Sequence, residues 1–169
     1  VSRLERQSLL APTYGFTADE IVETGFARYD GLVSRPQRQI LLAPTWRYYL
    51  NKPQKDDSLQ ERNAEFTRSA YFQVFNGLIN NERLLAAAEA LHYNIVYLLH
   101  PNTSSQLDDY TMTSDRVRLL SPSEDVSYEQ VLTESDLMVT DYSGVQFDFA
   151  HMNKPVVYYH HPSIPPHYE

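Results

Sequence analysis

From about residue 37 onward, short apolar runs alternate with stretches whose apolar residues recur every three or four positions, the pattern of a parallel sheet wrapped by helices. The runs predict strands at Gln39 to Ala43, Asn94 to Leu99, Val117 to Leu120, Leu137 to Thr140 and Pro155 to Tyr159. Helical spacing appears at Tyr71, Phe72, Phe75, Leu78 and Ile79, and again at Leu84, Leu85, Ala88 and Leu91, so these faces should pack on the sheet. Ser127 with Gln130 opens a shorter helix whose Tyr128, Val131 and Leu132 face inward, and a last helix runs from Ser143 to about Met152. Two polar stretches read as loops: Tyr48 to about Arg62, which contains Lys52 to Asp57, and Asn102 to Ser114. Five strands joined by right-handed crossovers make an α/β unit, a Rossmann-like parallel sheet with helices on both faces, over 37–169. Residues 1–36 read as a lead-in from a preceding inter-domain region, in which Thr17 and Glu20 form a capping box opening a turn of helix around Ile21.

The stretch from Ser135 to Ala150 carries the most chemistry. Leu137, Met138 and Val139 are a short apolar run, Thr140, Asp141 and Ser143 crowd the turn that follows, and Ser143 with Gln146 has the capping-box spacing. A helix starting there turns N–H groups without intrahelical partners toward the sheet edge, where the helix dipole also favours an anion. An ordinary helix cap, with Asp141 as a turn residue, accounts for the same residues.

Composition narrows the ligand. The 169 residues are 42% hydrophobic and 21% charged, which suits one soluble domain with a real core, and no apolar stretch is long enough to span a bilayer. Fourteen Lys and Arg against 22 Asp and Glu leave a net charge of −8, so the basic surface of a general nucleic-acid binder is missing. Any anionic ligand must be caught by a few local cations. The 13 tyrosines fall on predicted core faces and read as packing rather than base stacking. With no cysteine, disulfides and thiolate metal sites are excluded, which fits a reducing compartment such as the cytoplasm. His160 and His161 are adjacent and cannot easily share one ion, so together with His167 and Glu169 they are not read as a metal site, and no cofactor is expected. Glycine-rich dinucleotide and P-loop motifs are absent, as is the Gly-x-Ser-x-Gly elbow. The chain opens at Val1 without a signal-like segment and stops just after Pro162 to Pro166, which reads as a piece of something longer.

Open parallel sheets bind ligands beyond the carboxyl ends of their strands. Those ends carry Thr45 and Arg47, then His100, then Ser121, then Thr140, Asp141, Ser143 and Gly144. A phosphate there takes an arginine, a hydroxyl and free backbone N–H groups, which Arg47, Ser143 and the turn after Asp141 could supply. His100 ends a strand before proline, a place that also suits a structural histidine, and its position opposite Arg47 and Ser143 favours the site. Arg28 either pairs with Asp30 across one turn or reaches the same anion. Asp148, one turn beyond Gly144, is either a solvated helix residue or an acceptor for ribose hydroxyls.

With these residues in place, the chain resembles the CDP-glycerol glycerophosphotransferases that polymerise teichoic-acid-type poly(glycerol phosphate) chains. The resemblance rests on Leu41 to Arg47 (LLAPTWR), Leu98 to Pro101 (LLHP), Ser135 to Ala150 (SDLMVTDYSGVQFDFA) followed by Lys154 to Tyr159 (KPVVYY), and more weakly on Gly25 to Asp30 (GFARYD). It spans nearly the whole chain. It implies the C-terminal, donor-binding half of a GT-B type glycosyltransferase fold, cut short at both ends, with the closing helices of such a domain missing.

The resemblance also implies roles. His100 and Arg47 become the catalytic residues, and Arg28, Thr45, Ser121, Thr140, Asp141, Ser143, Gly144 and Asp148 bind substrate. The pyrophosphate of CDP-glycerol would lie against Arg47, His100, Ser143 and the Gly144 amide, with Asp148 near the ribose, the Ser121 to Val126 loop near cytosine, and Asp141 holding the turn. A terminal hydroxyl of the polymer attacks the glycerol-bearing phosphate and CMP leaves, which requires stabilised phosphoryl charge and a base. That base is expected on an N-terminal domain outside this stretch, so the chain alone should bind nucleotide without turnover.

The implied partners are CDP-glycerol or a similar CDP-polyol donor and a lipid-linked polymer acceptor. The whole protein would sit peripherally at the inner face of the cell membrane through contacts elsewhere, since no basic amphipathic helix is present here. Gly144 stands where many members have a second serine, and Pro162 to Pro166 replace a stretch that commonly holds an aspartate, which leaves ribitol phosphate or another polyol phosphate open as the transferred group. A nucleotide-sugar GT-B glycosyltransferase and a non-catalytic nucleotide-binding domain are the other readings. On the donor reading, Arg47→Ala and His100→Ala should weaken CDP binding with thermal stability nearly unchanged.

Overall fold

Five parallel strands, β1 (Gln39–Leu42), β2 (Asn94–Leu98), β3 (Val117–Leu120), β4 (Ser135–Thr140) and β5 (Val156–Tyr158), pair in the order β3-β2-β1-β4-β5. They are drawn from a computed structural model that describes residues 1–50, 61–121 and 127–165. Lys52 to Asp57 and the 122–126 part of the loop after Ser121 lie outside the described residues, as do His167 and Glu169. Two units cluster separately, Val1–Val33 and Ser34–Glu169, and the sheet belongs to the second.

The helices cover both faces, as the apolar spacing predicts. Alternation along the strands sends Leu42, Ile95, Tyr97 and Val117 to one side, where they meet Tyr71, Phe72, Phe75 and Ile79 of α2 (Ala70–Ile79) and Ala88 of α3 (Glu82–Ala90). Leu41, Val96, Leu98, Leu120 and Met138 point to the other side, against Val131 and Leu132 of α4 (Tyr128–Glu134) and Phe149 of α5 (Gln146–His151). The first face is aromatic: Phe66, Phe72 and Tyr110 pack edge to face or tilted, and the buried Tyr97 and Tyr110 hydroxyls bond each other at 3.1 Å.

Local signals explain where the elements stop. His92 and Asn153 take left-handed φ of 57° and 54°, and the N–H groups of Tyr93 and Lys154 reach back to the Ala88 and Phe149 carbonyls at 2.7 and 3.0 Å. Both helices thus end in the motif that satisfies their last carbonyls and turn the chain into β2 and β5. Strand β4 begins at Ser135, two residues before the apolar run. Ser135 donates to the Val131 carbonyl at 2.7 Å and accepts from the Gln39 amide, while Asp136 accepts the Gln39 backbone N–H at 3.0 Å, so two polar residues enter the strand with their bonds made.

The polar 102–114 stretch also differs from a plain loop. Pro101–Asp109 form 3₁₀ turns with Thr103 and Gln106 buried, because Thr103 and Ser104 hydroxyls bond back to the His100 and Pro101 carbonyls. In the first unit, α1 (Arg3–Leu9) starts with a complete capping box between Ser2 and Glu5, and Arg6 donates to the Ile21 and Ala18 carbonyls. Thr17 and Glu20 do bond through backbone and hydroxyl at 2.8 Å, but they close an isolated turn with no helix behind it.

Candidate functional site

The chain steps from β1 to β2 to β3 in one direction and then returns to β4 on the opposite side of β1, so the winding reverses between β1 and β4. Loops leaving two such neighbours diverge, and the crevice they leave beyond the strand ends is where open α/β sheets hold ligands. Residues 43–47 and 140–144 are the segments that leave β1 and β4 at that point.

Asp141 sits at its centre. One carboxylate oxygen accepts the backbone N–H groups of Thr45 and Tyr142, each at 2.7 Å, and the other accepts from Arg47 Nη2 at 2.7 Å. Arg47 spends its remaining nitrogens on carbonyls, Nη1 on Thr45 at 2.6 Å and Nε on Pro165 at 3.1 Å. Its guanidinium lies between the rings of Tyr71 and Tyr142, 5.6 and 5.5 Å from their centroids. Both side chains of the ion pair are 2% exposed. Thr140 adds a third tie, its hydroxyl donating to the Ala43 carbonyl at 2.7 Å. The bonds of Arg47 are thus directed at Asp141 and two carbonyls, and they hold the two loops together. Thr45 Oγ1 is buried with no hydrogen-bond partner among the described residues.

The start of α5 also departs from expectation. The helix is six residues long and begins at Gln146, and Val145 in the cap position makes no side-chain bond. Ser143 Oγ accepts the Val145 N–H at 3.4 Å, one residue short of a capping box, and the Gln146 side chain that would complete the box accepts from the Tyr158 hydroxyl of β5. What the turn offers is the half-buried Ser143 hydroxyl and the exposed Gly144, where a Cβ would meet nothing within 4 Å. A serine would fit there as well as glycine.

His100 ends β2 beside the β1 loop, its ring 5.5 Å from that of Trp46. Nδ1 accepts the Asn102 N–H at 3.2 Å, which assigns the ring hydrogen to Nε2. Ser121 is buried at the end of β3, two strands from β1, so it is not gathered with Asp141. Asp148 is buried at 6% exposure, which removes the solvated-helix alternative. Arg28 belongs to the first unit, where its guanidinium lies over the Phe26 and Tyr29 rings at 5.6 and 5.2 Å.

One residue of the site escapes the pattern reading. His160, weighed in the sequence only as a metal ligand, stacks on Tyr142 with centroids 4.7 Å apart, and its Nε2 is 3.1 Å from the Asp141 carbonyl. Its place one residue beyond the fifth predicted strand was the available signal. Among the described residues, no three His, Asp or Glu side chains are grouped as a metal site.

Comparison with known proteins agrees in fold and sequence. The family model described as CDP-Glycerol:Poly(glycerophosphate) glycerophosphotransferase matches residues 1–163. The minor teichoic acid biosynthesis protein GgaB of Bacillus subtilis (strain 168) is 37% identical over 158 residues, covering 92% of this chain and 17% of that protein. A teichoic acid glycerol-phosphate transferase of Staphylococcus aureus (strain NCTC 8325 / PS 47) is 29% identical over 156 residues, covering 90% of this chain and 38% of that one. The chain thus spans well under half the length of either relative. Two structures of the wall teichoic acid polymerase TagF superpose with TM-scores of 0.60 and 0.52, at 17% and 18% identity, over 93% of this chain and 37% and 38% of theirs. At that identity the likeness speaks to the fold.

Proposed function

The chain belongs to the CDP-glycerol:poly(glycerophosphate) glycerophosphotransferase family, and from that membership we propose that it forms the donor-binding half of an enzyme that transfers glycerol phosphate from CDP-glycerol to a growing teichoic-acid-type polymer and releases CMP. The observation that carries the reading is the crevice between β1 and β4, where the two strongest motifs meet through Asp141. On this reading the donor diphosphate lies along Ser143, the Gly144 amide and His100, whose Nε2–H suits a phosphoryl oxygen. Arg47, Thr140 and Asp141 are positioning residues, since they hold the loops through bonds to each other and to backbone groups of the loops.

In the transfer, an acceptor hydroxyl oxygen bonds to the phosphorus of the glycerol phosphate, the phosphorus–oxygen bond to CMP breaks, and the hydroxyl proton passes to a base. Donors held ready for the phosphoryl oxygens stabilise the charge that develops there. The base and the acceptor site belong to parts of the enzyme outside this chain. The acceptor is a lipid-linked polymer, and the whole enzyme works at the inner face of the membrane. No described helix is long and apolar enough to cross it.

Calorimetric titration of the chain with CDP, CMP and UDP tests the proposal. CDP should bind more tightly than CMP or UDP, and His100→Asn, which keeps an acceptor for the Asn102 N–H while removing the distal nitrogen, should weaken CDP by roughly 10- to 100-fold, the worth of one bond to a charged group. A folded chain that binds none of the three nucleotides overturns the proposal.

A further inference from the structure

His160 follows β5 at the same end of the sheet as the crevice, and it is held in an unusual way for an exposed residue. A carbonyl oxygen only accepts, so the contact between Nε2 and the Asp141 carbonyl at 3.1 Å requires the hydrogen on Nε2. The ring lies nearly parallel to Tyr142, 15° between planes, and Tyr158 approaches at 6.2 Å. One edge and one face are thus fixed. The other edge carries Nδ1, which has no hydrogen-bond partner among the described residues, and the residue is exposed. A second-nitrogen bond is what sets a histidine's working tautomer, and here a backbone carbonyl makes it.

Charge at the crevice points the same way. Each guanidinium nitrogen of Arg47 already donates, to Asp141, Thr45 or Pro165, and the side chain is 2% exposed, so a diphosphate arriving at the surface is not met by it. We propose that His160 is a further ligand for the donor's phosphate groups, binding them through Nδ1. The assignment rests on the donor reading above. With the hydrogen of the neutral ring on Nε2, Nδ1 donates to a phosphate oxygen only in the imidazolium form. Among the described residues, the groups around the imidazole are Asp141 and Tyr142 from the β4 turn, Arg47 paired with Asp141, and Tyr158 and His161 beside it, with His161 Nδ1 engaged by Ser163 at 2.7 Å. None of them places an unbalanced fixed charge against the ring.

The test titrates the whole chain with CDP and with cytidine at pH 6 and pH 8, as wild type, His160→Gln and His160→Phe. Glutamine keeps an N–H for the Asp141 carbonyl and removes the Nδ1 edge, whereas phenylalanine keeps the stack on Tyr142 and removes both nitrogens. Both variants should lose about tenfold in CDP affinity at pH 6, the worth of one charge-assisted bond, and less than about threefold at pH 8, since a neutral imidazole offers a phosphate no donor at Nδ1. Cytidine, which carries no phosphate, should bind all three proteins alike, and the Tm of His160→Gln should match wild type. Wild-type binding of CDP with undiminished binding by His160→Gln at both pH values overturns this assignment and leaves the donor reading standing. A loss that is equal at pH 6 and pH 8 and accompanied by a lower Tm also overturns it, in favour of a packing role. A wild-type chain with no affinity for CDP overturns both.

Discussion

Between β1 and β4 the polar side chains are buried and bonded to one another or to loop carbonyls, whereas one strand further on, around β5 and α5, large side chains face water. In the first region the Arg47 and Asp141 side chains are 2% exposed and the Thr140 hydroxyl is closed on a carbonyl. In the second, Phe147, Val157 and Tyr158 are 60%, 47% and 56% exposed and α5 is six residues long. The charged residues that stand out in the sequence sit in the first region and are consumed in welding two loops. Groups left open to a ligand, Ser143, Gly144 and His160, lie at its margin. A charge at a strand end is thus a weaker sign of contact with ligand than a polar group whose bonds are half made.

The largest expected effect comes from breaking the weld. Arg47→Ala leaves the Asp141 carboxylate buried without its cation and frees the Thr45 and Pro165 carbonyls, which should cost about 3–5 kcal/mol of unfolding free energy in urea. This reverses what the sequence suggested, a loss of binding with little change in stability. Arg47→Lys should recover little, because a single ammonium cannot meet the Asp141 carboxylate and two separate carbonyls in the geometry of the guanidinium fork. A loss under about 1 kcal/mol for Arg47→Ala would equate the two regions and dissolve the contrast between them.

Beneath Arg47 the same closed character predicts a pH dependence. Burial holds the Tyr71 and Tyr97 hydroxyls well above the ordinary tyrosine range, reinforced by neighbouring Tyr110, and burial raises Tyr110 as well. A tyrosine that stays protonated in the folded chain but ionises in the unfolded one contributes stability that is complete below the unfolded value near 10 and is lost as pH rises toward the folded value. Denaturation midpoints should therefore fall above about pH 10, by up to about 1.4 kcal/mol per pH unit for each tyrosine. Tyr71→Phe, Tyr97→Phe and Tyr110→Phe should each flatten that slope by one tyrosine's share, and a slope indifferent to all three would mean that water reaches this side of the sheet.

The five strands were legible as apolar runs, whereas their order, which places the switch point between β1 and β4, comes from the structure. What the sequence hid was satisfaction of polar groups. Ser135 and Asp136 belong to β4 because Gln39 and the Val131 carbonyl bond them, and no period-two pattern marks a partner such as Gln39, 96 or 97 residues away. Ser143 and Gln146 have capping-box spacing, yet Tyr158 on another strand takes the glutamine first. Ser2 and Glu5 have the same spacing with no competitor, and there the box forms. Arg47 and Asp141 were placed at the right strand ends, but the sequence carries no sign that they bond each other rather than a ligand. His160 lacked any motif, and only the ring beneath it and the carbonyl beside it give it a role.

The smallest effect isolates exposure from chemistry by making one substitution twice. Val96 of β2 is 1% exposed inside the core, so Val96→Thr buries a hydroxyl and should cost about 1–3 kcal/mol. Val157 of β5 is 47% exposed, so Val157→Thr puts the hydroxyl in water and should stay within about 0.5 kcal/mol of wild type in the same urea titration. Both positions are strand residues of the same type, so helix propensity and side-chain volume cancel in the comparison. The difference between the two losses measures how far the closed character of the β1 and β4 neighbourhood fades across the sheet. Equal losses would mean that Val157 is covered in solution, and the open margin on which Ser143, Gly144 and His160 depend would have to be redrawn around whatever covers it.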